Sequence, residues 1–192
     1  MPCLSILAAL LFFYFLLRLF EAPEIKKTKP SLPNHSYRLF YTDQKNTEKE
    51  NHVIYSKMLT SQQYNICGKP DYIFKHKVKN RYIPVELKSG IIGEKDMPNE
   101  GDFMQLLAYF LIIEDLYHTR VKEGRLIYQD AMFIIRNTIS IRKKVLKQLK
   151  RMRTMLQTGK EYAEPSFVHC KHCICYKTVC TIGSRNMYGE KR

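Results

Sequence analysis

Residues 66–89 read ICGKPDYIFKHKVKNRYIPVELKS, and the fold turns on them. Two β-rich runs, 71–74 and 82–87, flank the polar segment KHKVKN. Alternation, aromatic and β-branched content and a polar connector predict a hairpin with a loop longer than the tight two-residue type. In the second run Ile83, Val85 and Leu87 alternate with Tyr82, Pro84, Glu86 and Lys88. Period two assigns the three aliphatics to the core face and sets Glu86 and Lys88 together on the other. A turn symmetric about Val78–Lys79 then puts Asp71 opposite Glu86. Two carboxylates and a lysine meet on one face of one hairpin. Idle, such a face repels itself, and one carboxyl takes a raised pKa. A divalent cation relieves the conflict, and Mg²⁺ needs only a few carboxylates plus waters and substrate oxygens. A lysine beside it orients the attacking water or helps deprotonate it, and stabilises developing phosphate charge. A surface hairpin with a Glu–Lys ion pair is the bland reading of the same spacing.

Downstream, residues 102–118 (DFMQLLAYFLIIEDLYH) read as a helix with Asp102 as N-cap. Phe103, Leu106, Leu107, Phe110 and Leu111 supply core packing, while Gln105 and Tyr109 share one face at i and i+4. Residues 125–136 form a second hairpin, RLIY-QD-AMFIIR. Residues 138–156 form a second helix, its apolar stripe Ile141, Val145, Leu149, Met152 and Leu156, with Gly159 as the stop. This helix also carries Arg142, Lys143, Lys144, Lys147, Lys150, Arg151 and Arg153 and no acid. A solvated face, a phosphate-backbone contact and a contact with anionic lipid all fit that run.

The ends of the chain differ from its middle. Residues 2–20 (PCLSILAALLFFYFLLRLF) hold one charge, Arg18, and have the length of a membrane span. A secretory signal peptide is the rival, but it wants a basic leading region and a small-residue cleavage site, and neither is present. Lys26, Lys27 and Lys29 follow, so the positive-inside rule turns the remainder toward the cytoplasm. The chain of 192 residues has 32 Lys+Arg against 18 Asp+Glu, a net charge of +14. Nearly all of that excess lies outside the span. It points to a polyanion or a membrane surface as partner, not to an ordinary metabolic enzyme. Residues 21–35, with Pro23, Pro30 and Pro33, read as a linker, and residues 43–51 as a polar surface loop. Near the C-terminus Cys170, Cys173, Cys175 and Cys180 cluster in a compartment expected to be reducing, which makes disulfides improbable and a metal centre the better reading. Spacing alone leaves zinc and an iron–sulfur cluster both open.

Taken together, Gly68-Lys69-Pro70-Asp71, Glu86-Leu87-Lys88 and Gln105-x3-Tyr109 resemble the motifs of the PD-(D/E)XK nuclease superfamily in its RecB-like branch. Cys170-x2-Cys173-x6-Cys180 resembles the C-terminal triplet of the CRISPR-associated RecB-like exonucleases, the Cas-four family. The resemblance covers about residues 36–182 and implies an α/β fold with a restriction-endonuclease-like mixed sheet flanked by helices. It implies a metal-dependent deoxyribonuclease, an exonuclease on DNA ends or single strands. Asp71 and Glu86 would hold Mg²⁺ or Mn²⁺ with the Leu87 carbonyl, Lys88 would assist the water, and Gln105 and Tyr109 would position DNA. It also implies a 4Fe-4S cluster on the cysteine triplet, with Cys175 a candidate fourth ligand and zinc the alternative. The chain departs from the family in two respects. No cysteine lies where the family's first cluster ligand is expected, since Cys3 and Cys67 sit elsewhere. The extra histidine ligand of RecB-like nucleases has its best candidate in His35, which borders the linker and not a helix. The expected organisation is a membrane anchor at 2–20, a linker at 21–35, a nuclease core at 36–165 and a cysteine segment at 166–184. A non-catalytic, membrane-anchored DNA-binding or adaptor module is the alternative.

Overall fold

The computed structural model describes residues 24–44 and 50–159. The span expected at 2–20 and the cysteine segment at 166–184 lie outside the described residues. The strands are β1 (Ile25–Thr28), β2 (Tyr37–Thr42), β3 (Ile54–Tyr55), β4 (Leu59–Ser61), β5 (Ile66–Gly68), β6 (Tyr72–His76), β7 (Tyr82–Leu87), β8 (Glu123–Ile127) and β9 (Met132–Arg136). The helices are α1 (Glu100–Tyr117) and α2 (Ile139–Thr158). The protein is thus mixed α/β. A seven-stranded mixed sheet runs in the order β1-β9-β8-β7-β6-β2-β3, and β4-β5 form a small second sheet. The chain divides into two units, Met1–Val145 and Leu146–Arg192.

The hairpin β6–β7 has the expected register. Tyr72 pairs with Val85 and Lys75 with Tyr82, which carried one residue further sets Asp71 opposite Glu86. The face assignment along β7 needs correction. Tyr82, Ile83, Pro84, Val85 and Glu86 are all buried, and Leu87, expected in the core, is 38% exposed. Residues of both faces of β7 are buried, with α1 packed on the strand, so simple alternation fails. Pro84 has no N–H to give a ladder, and it falls just before Val85, where pairing with β8 begins.

Strands β7 and β8 are parallel and joined through α1, the crossover that parallel neighbours require. Helix α1 packs on β7 and β8 and also on β4 and β5. Sandwiched between two sheets, it is apolar nearly all round, with Phe103, Leu106, Leu107, Phe110, Leu111, Ile112 and Ile113 buried. Gly124 of β8 makes the close approach possible: a Cβ there would stand 2.5 Å from Phe110 Cε1 and 3.1 Å from Leu106 Cδ1. The helix is capped three residues earlier than the sequence predicts. Asn99 is its N-cap residue, and Asp102 falls in the first turn with a different task.

Two further readings change. Residues 25–28 of the expected linker form edge strand β1, antiparallel to β9, and Lys27 Nζ donates to the Gly93 and Lys95 carbonyls, 2.7 Å each. Helix α2 starts after Thr138, whose Oγ1 accepts the Ile141 N–H at 3.2 Å, and stops at Gly159, φ +63°. In its stripe Ile141 and Val145 are buried, whereas Met152 and Leu156 are exposed. Among the described residues no helix is long and apolar enough to cross a membrane.

Candidate active site

Asp71 stands at the start of β6, Glu86 near the end of β7 and Lys88 just beyond it. The first turns of α1 close over them. Asp71 Oδ2 accepts the Leu87 N–H at 2.7 Å, and the Asp71 N–H points to Glu86 Oε2 at 3.4 Å. The two acids are therefore laced together through each other's backbone. Glu86 is 6% exposed. Burial, then the Asp71 charge, pushes its carboxyl above the usual range, and the hydrogen bonds from Lys88 and the Asp71 backbone offset this only in part.

Lys88 Nζ has three acceptors: Gln105 Oε1 at 2.7 Å, Glu86 Oε1 at 3.2 Å and Asp102 Oδ1 at 3.2 Å. An ammonium has three protons to donate, so this one is fully committed. Burial works against its charge, but the bonds and charges of Glu86 and Asp102 outweigh burial and raise its pKa. Lys88 is thus a cation held in place by three acceptors.

Gln105 Nε2 donates to Glu86 Oε1 at 2.6 Å and to Tyr109 Oη at 2.8 Å, and Tyr109 Oη donates to the Lys69 carbonyl at 3.0 Å. Tyr109 is buried. Its phenol is pushed up to about 12 by burial and by the Glu86, Asp71 and Asp43 charges, against the bond from Gln105. The i, i+4 pair does share a face, and that face turns inward. In this geometry Gln105 and Tyr109 position Glu86, Lys88 and the 68–71 segment. Gly68 lets the ring in: a Cβ there would stand 2.8 Å from Tyr109 Cε1. The glycine of the GKPD segment thus has a packing reason, the close approach of α1 to β5.

Three members of the cluster were not read from the sequence. Asp102, assigned there to the cap, holds Lys88, and its Oδ2 accepts the Tyr128 hydroxyl at 2.7 Å. Its place three residues before Gln105, on the same helix face, was the available signal. Tyr128 comes from the β8–β9 turn, and only tertiary packing brings it in. Gln44 Nε2 donates to Asp71 Oδ1 at 2.7 Å from a stretch read as surface loop. His35 is not brought to the cluster. It precedes β2 at the end where Tyr37 pairs with His76, whereas Thr42 pairs with Tyr72 beside Asp71. The length of β2 separates the two, about 20 Å of strand. Arg142 also changes role: it ion-pairs with Glu114 and donates to Tyr64 Oη at 3.0 Å, so its charge is taken up inside the fold.

The donor set suits a hard divalent cation. Two carboxylates lie side by side, Glu86 resists ionisation beside Asp71, and Asp71 Oδ1, Asp71 Oδ2 and Glu86 Oε2 each keep a lone pair beyond the one bond they accept, whereas Glu86 Oε1 already accepts two. Among the described residues no group of three or more His, Cys, Asp or Glu side chains is arranged to hold a metal. An ion here would take its remaining ligands from backbone, water and substrate, as Mg²⁺ does. Cys170, Cys173, Cys175 and Cys180 lie outside the described residues.

No family model matches the chain, and no curated protein matches it. One solved structure, described as the crystal structure of SSO0001, is similar to it at 23% identity with a TM-score of 0.40. The match covers 65% of this chain and 56% of that one, so this chain spans little more than half of its length.

Proposed function

We propose that the protein is a Mg²⁺- or Mn²⁺-dependent deoxyribonuclease of the RecB-like PD-(D/E)XK type, hydrolysing phosphodiester bonds at DNA ends or in single strands. The observation that carries the reading is the Asp71–Glu86 pair, a half-buried and a buried carboxyl in a conflict that a cation resolves, with Lys88 held charged beside it. A structural ion pair needs one acid for one base; here two acids, Glu86 and Asp102, meet one lysine, and a third, Asp71, lies against Glu86.

In this reading Asp71, Glu86 and the Leu87 carbonyl hold the ion. When bound, it would acidify a water and neutralise charge on the scissile phosphate. Lys88 presents a fixed positive charge where negative charge grows on the phosphate oxygens. Gln105 keeps both the Glu86 carboxylate and the Lys88 ammonium at their stations, and Tyr109 ties Gln105 to the Lys69 carbonyl. Asp102, pinned by Tyr128, carries the third bond of Lys88. The exposed lysines of α2, Lys143, Lys147 and Lys150, draw in the phosphate backbone. The cysteine set 170, 173, 175 and 180 holds a 4Fe-4S cluster, and residues 2–20 tether the chain to a membrane with the nuclease facing the cytoplasm.

The test is cleavage of end-labelled single- and double-stranded DNA by the full chain in detergent, with Mg²⁺, Mn²⁺ or chelator. Metal-dependent degradation lost in Asp71→Ala and Lys88→Ala supports the reading. A wild type that binds but cuts nothing, or variants that cut equally well, would leave the non-catalytic DNA-binding module. For the cluster, a coloured, iron- and sulfide-containing protein from anaerobic purification is expected, and a colourless one with stoichiometric zinc refutes iron.

A further inference from the structure

The hairpin β6–β7 has a second end, opposite the acids. Its turn is Lys77-Val78-Lys79-Asn80-Arg81. The His76 N–H donates to the Arg81 carbonyl at 2.9 Å, and His76 Nδ1 accepts the Val78 and Lys79 N–H groups, 3.1 Å each. Two outside bonds brace it: Lys77 N–H to the Ser36 carbonyl, 2.9 Å, and Thr119 Oγ1 to the Asn80 carbonyl, 2.7 Å. The turn is a preformed knuckle. Lys77 and Lys79 are exposed on either side of Val78, which is 89% exposed. Arg38, Arg120 and Lys122 are exposed at the same end. Ile139, 69% exposed, opens α2 there. Of the acids nearby, Glu114 pairs with Arg142, Glu24 accepts a bond from Thr138, and Glu123, half-buried at the start of β8, lies opposite Arg136 in the ladder and beside Arg125.

The chain also enters the fold at this end. In the β1–β9 pairing Ile25 lies opposite Ile135 and Thr28 opposite Met132, and the Glu24 carbonyl accepts the Arg136 N–H. Met132 follows the β8–β9 turn on the acid side, so Glu24 stands on the basic side. Three strand spacings separate β1 from β7 in the sheet, about 15 Å. The apolar stretch 2–20 ends four residues before Glu24.

We propose that this end of the domain docks on an anionic bilayer, with Val78 entering the headgroup layer between Lys77 and Lys79, so that the acid cluster faces away from the membrane. The inference rests on the reading of residues 2–20 as a span. Cations and an exposed aliphatic at one edge suit a lipid interface, where the charges meet headgroups and the apolar side chain leaves water. A nucleic-acid path suits them less. They stand a strand's length, about 20 Å, from Glu86, and Val78 has nothing to gain against phosphates.

The chain contains no tryptophan, so Val78→Trp makes a single reporter at a position where substitution disturbs no packing. The full chain carrying it is reconstituted in phosphatidylcholine vesicles, with or without phosphatidylserine, and with brominated lipid as quencher. Ile91→Trp, 71% exposed and next to the acid end, is the comparison. Expected in phosphatidylserine vesicles are a blue shift and quenching at position 78 but not at 91. Both effects should be lost in high salt and when Lys77→Glu, Lys79→Glu and Arg81→Glu are added. Vesicle flotation reads the anchor separately. A chain that floats while position 78 stays unquenched, or is quenched no more than 91, overturns the docking surface and leaves the anchor standing. A chain that fails to float overturns both. A blue shift with single-stranded DNA and none with phosphatidylserine vesicles reassigns the surface to nucleic acid and overturns the proposal.

Discussion

Helix α1 carries a charged cluster at each end, and the two are built on opposite principles. At its C-terminal end Glu114 meets one cation: Arg142 ion-pairs with it, and Asn137 Nδ2 and the Val121 N–H donate to Glu114 Oε1 at 2.9 and 3.1 Å. One acid meets one base, Glu114 Oε1 takes two further bonds, and the pair fastens α2 to α1. Burial works against the Arg142 charge, but Glu114 and Tyr64 outweigh it and raise its pKa. At the N-terminal end two acids, Glu86 and Asp102, meet Lys88, a third, Asp71, lies against Glu86, and the Glu86 pKa rises. A fold that needed only fastening would have repeated the first arrangement. The second stores a charge imbalance that a cation and a phosphate together can fill.

Substitutions separate the two clusters most sharply by activity. Lys88→Ala or Asp71→Asn should lower DNA cleavage by about 100-fold or more, the usual result of losing one preorganised charge at a reacting phosphate. Asp71→Asn relieves the acid excess and should hardly lower thermal stability, whereas Lys88→Ala deepens it and should destabilise as well. Arg142→Ala should do the reverse of Asp71→Asn. It strands Glu114, 11% exposed as a side chain, without its partner. Denaturant unfolding should show a loss of about 3 kcal/mol, with cleavage per folded molecule unchanged. Equal effects of the two substitutions on both readouts would erase the distinction.

The next effects come from the glycines that let α1 approach its neighbours. Gly124→Ala should destabilise by about 2 kcal/mol through overpacking against Phe110 and Leu106. Gly68→Ala meets the far edge of the Tyr109 ring, which can swing away. Stability should fall less there, but cleavage should drop, because Tyr109 carries Gln105 and Gln105 carries Glu86 and Lys88. A Gly68→Ala protein with full activity would show that Tyr109 is packing and nothing more.

Those two glycines mark the limit of what the sequence discloses. The hairpin was legible because strand alternation and a polar turn are local signals, and its symmetry fixed Asp71 opposite Glu86. Lys88 and Gln105 were legible as residues near the acids. Leu87 was misassigned because burial of β7 on both faces depends on β6, β8 and α1, which no period along one strand encodes. Asp102 was taken for a cap because Asp is a good cap in isolation; Lys88 and Tyr128 claim it only once β7 and the β8–β9 turn are in place. Strands β1 to β4 were also missed. β1, β3 and β4 are short, and their pairing partners β9, β2 and β5 hold them where their own sequence does not, while β2, six residues with three aromatics, carried a local strand signal that went unread.

The smallest effect is also the most specific to the imbalance, and it has a sign that a fastening pair cannot produce. The Glu86 carboxyl has a pKa above its ordinary 4.5 in the folded chain. Folding therefore favours its protonated form. That contribution is fully present below about 4.5, where the unfolded chain is also protonated, and it is lost as pH rises through the higher folded value. Above that point the ionised Glu86 opposes folding. In chelator at neutral pH Glu86→Gln should raise the melting temperature, since the amide keeps an acceptor for Gln105 and removes the charge facing Asp71. The gain should shrink as pH is lowered toward 4.5 and should not be mimicked by Glu114→Gln, which removes the partner of Arg142 and should destabilise at neutral pH. Mn²⁺ should then stabilise the wild type and leave Glu86→Gln unmoved. A Glu86→Gln protein that melts lower than wild type in chelator would mean that Lys88 already balances the cluster, and the case for a cation between Asp71 and Glu86 would lose its physical ground.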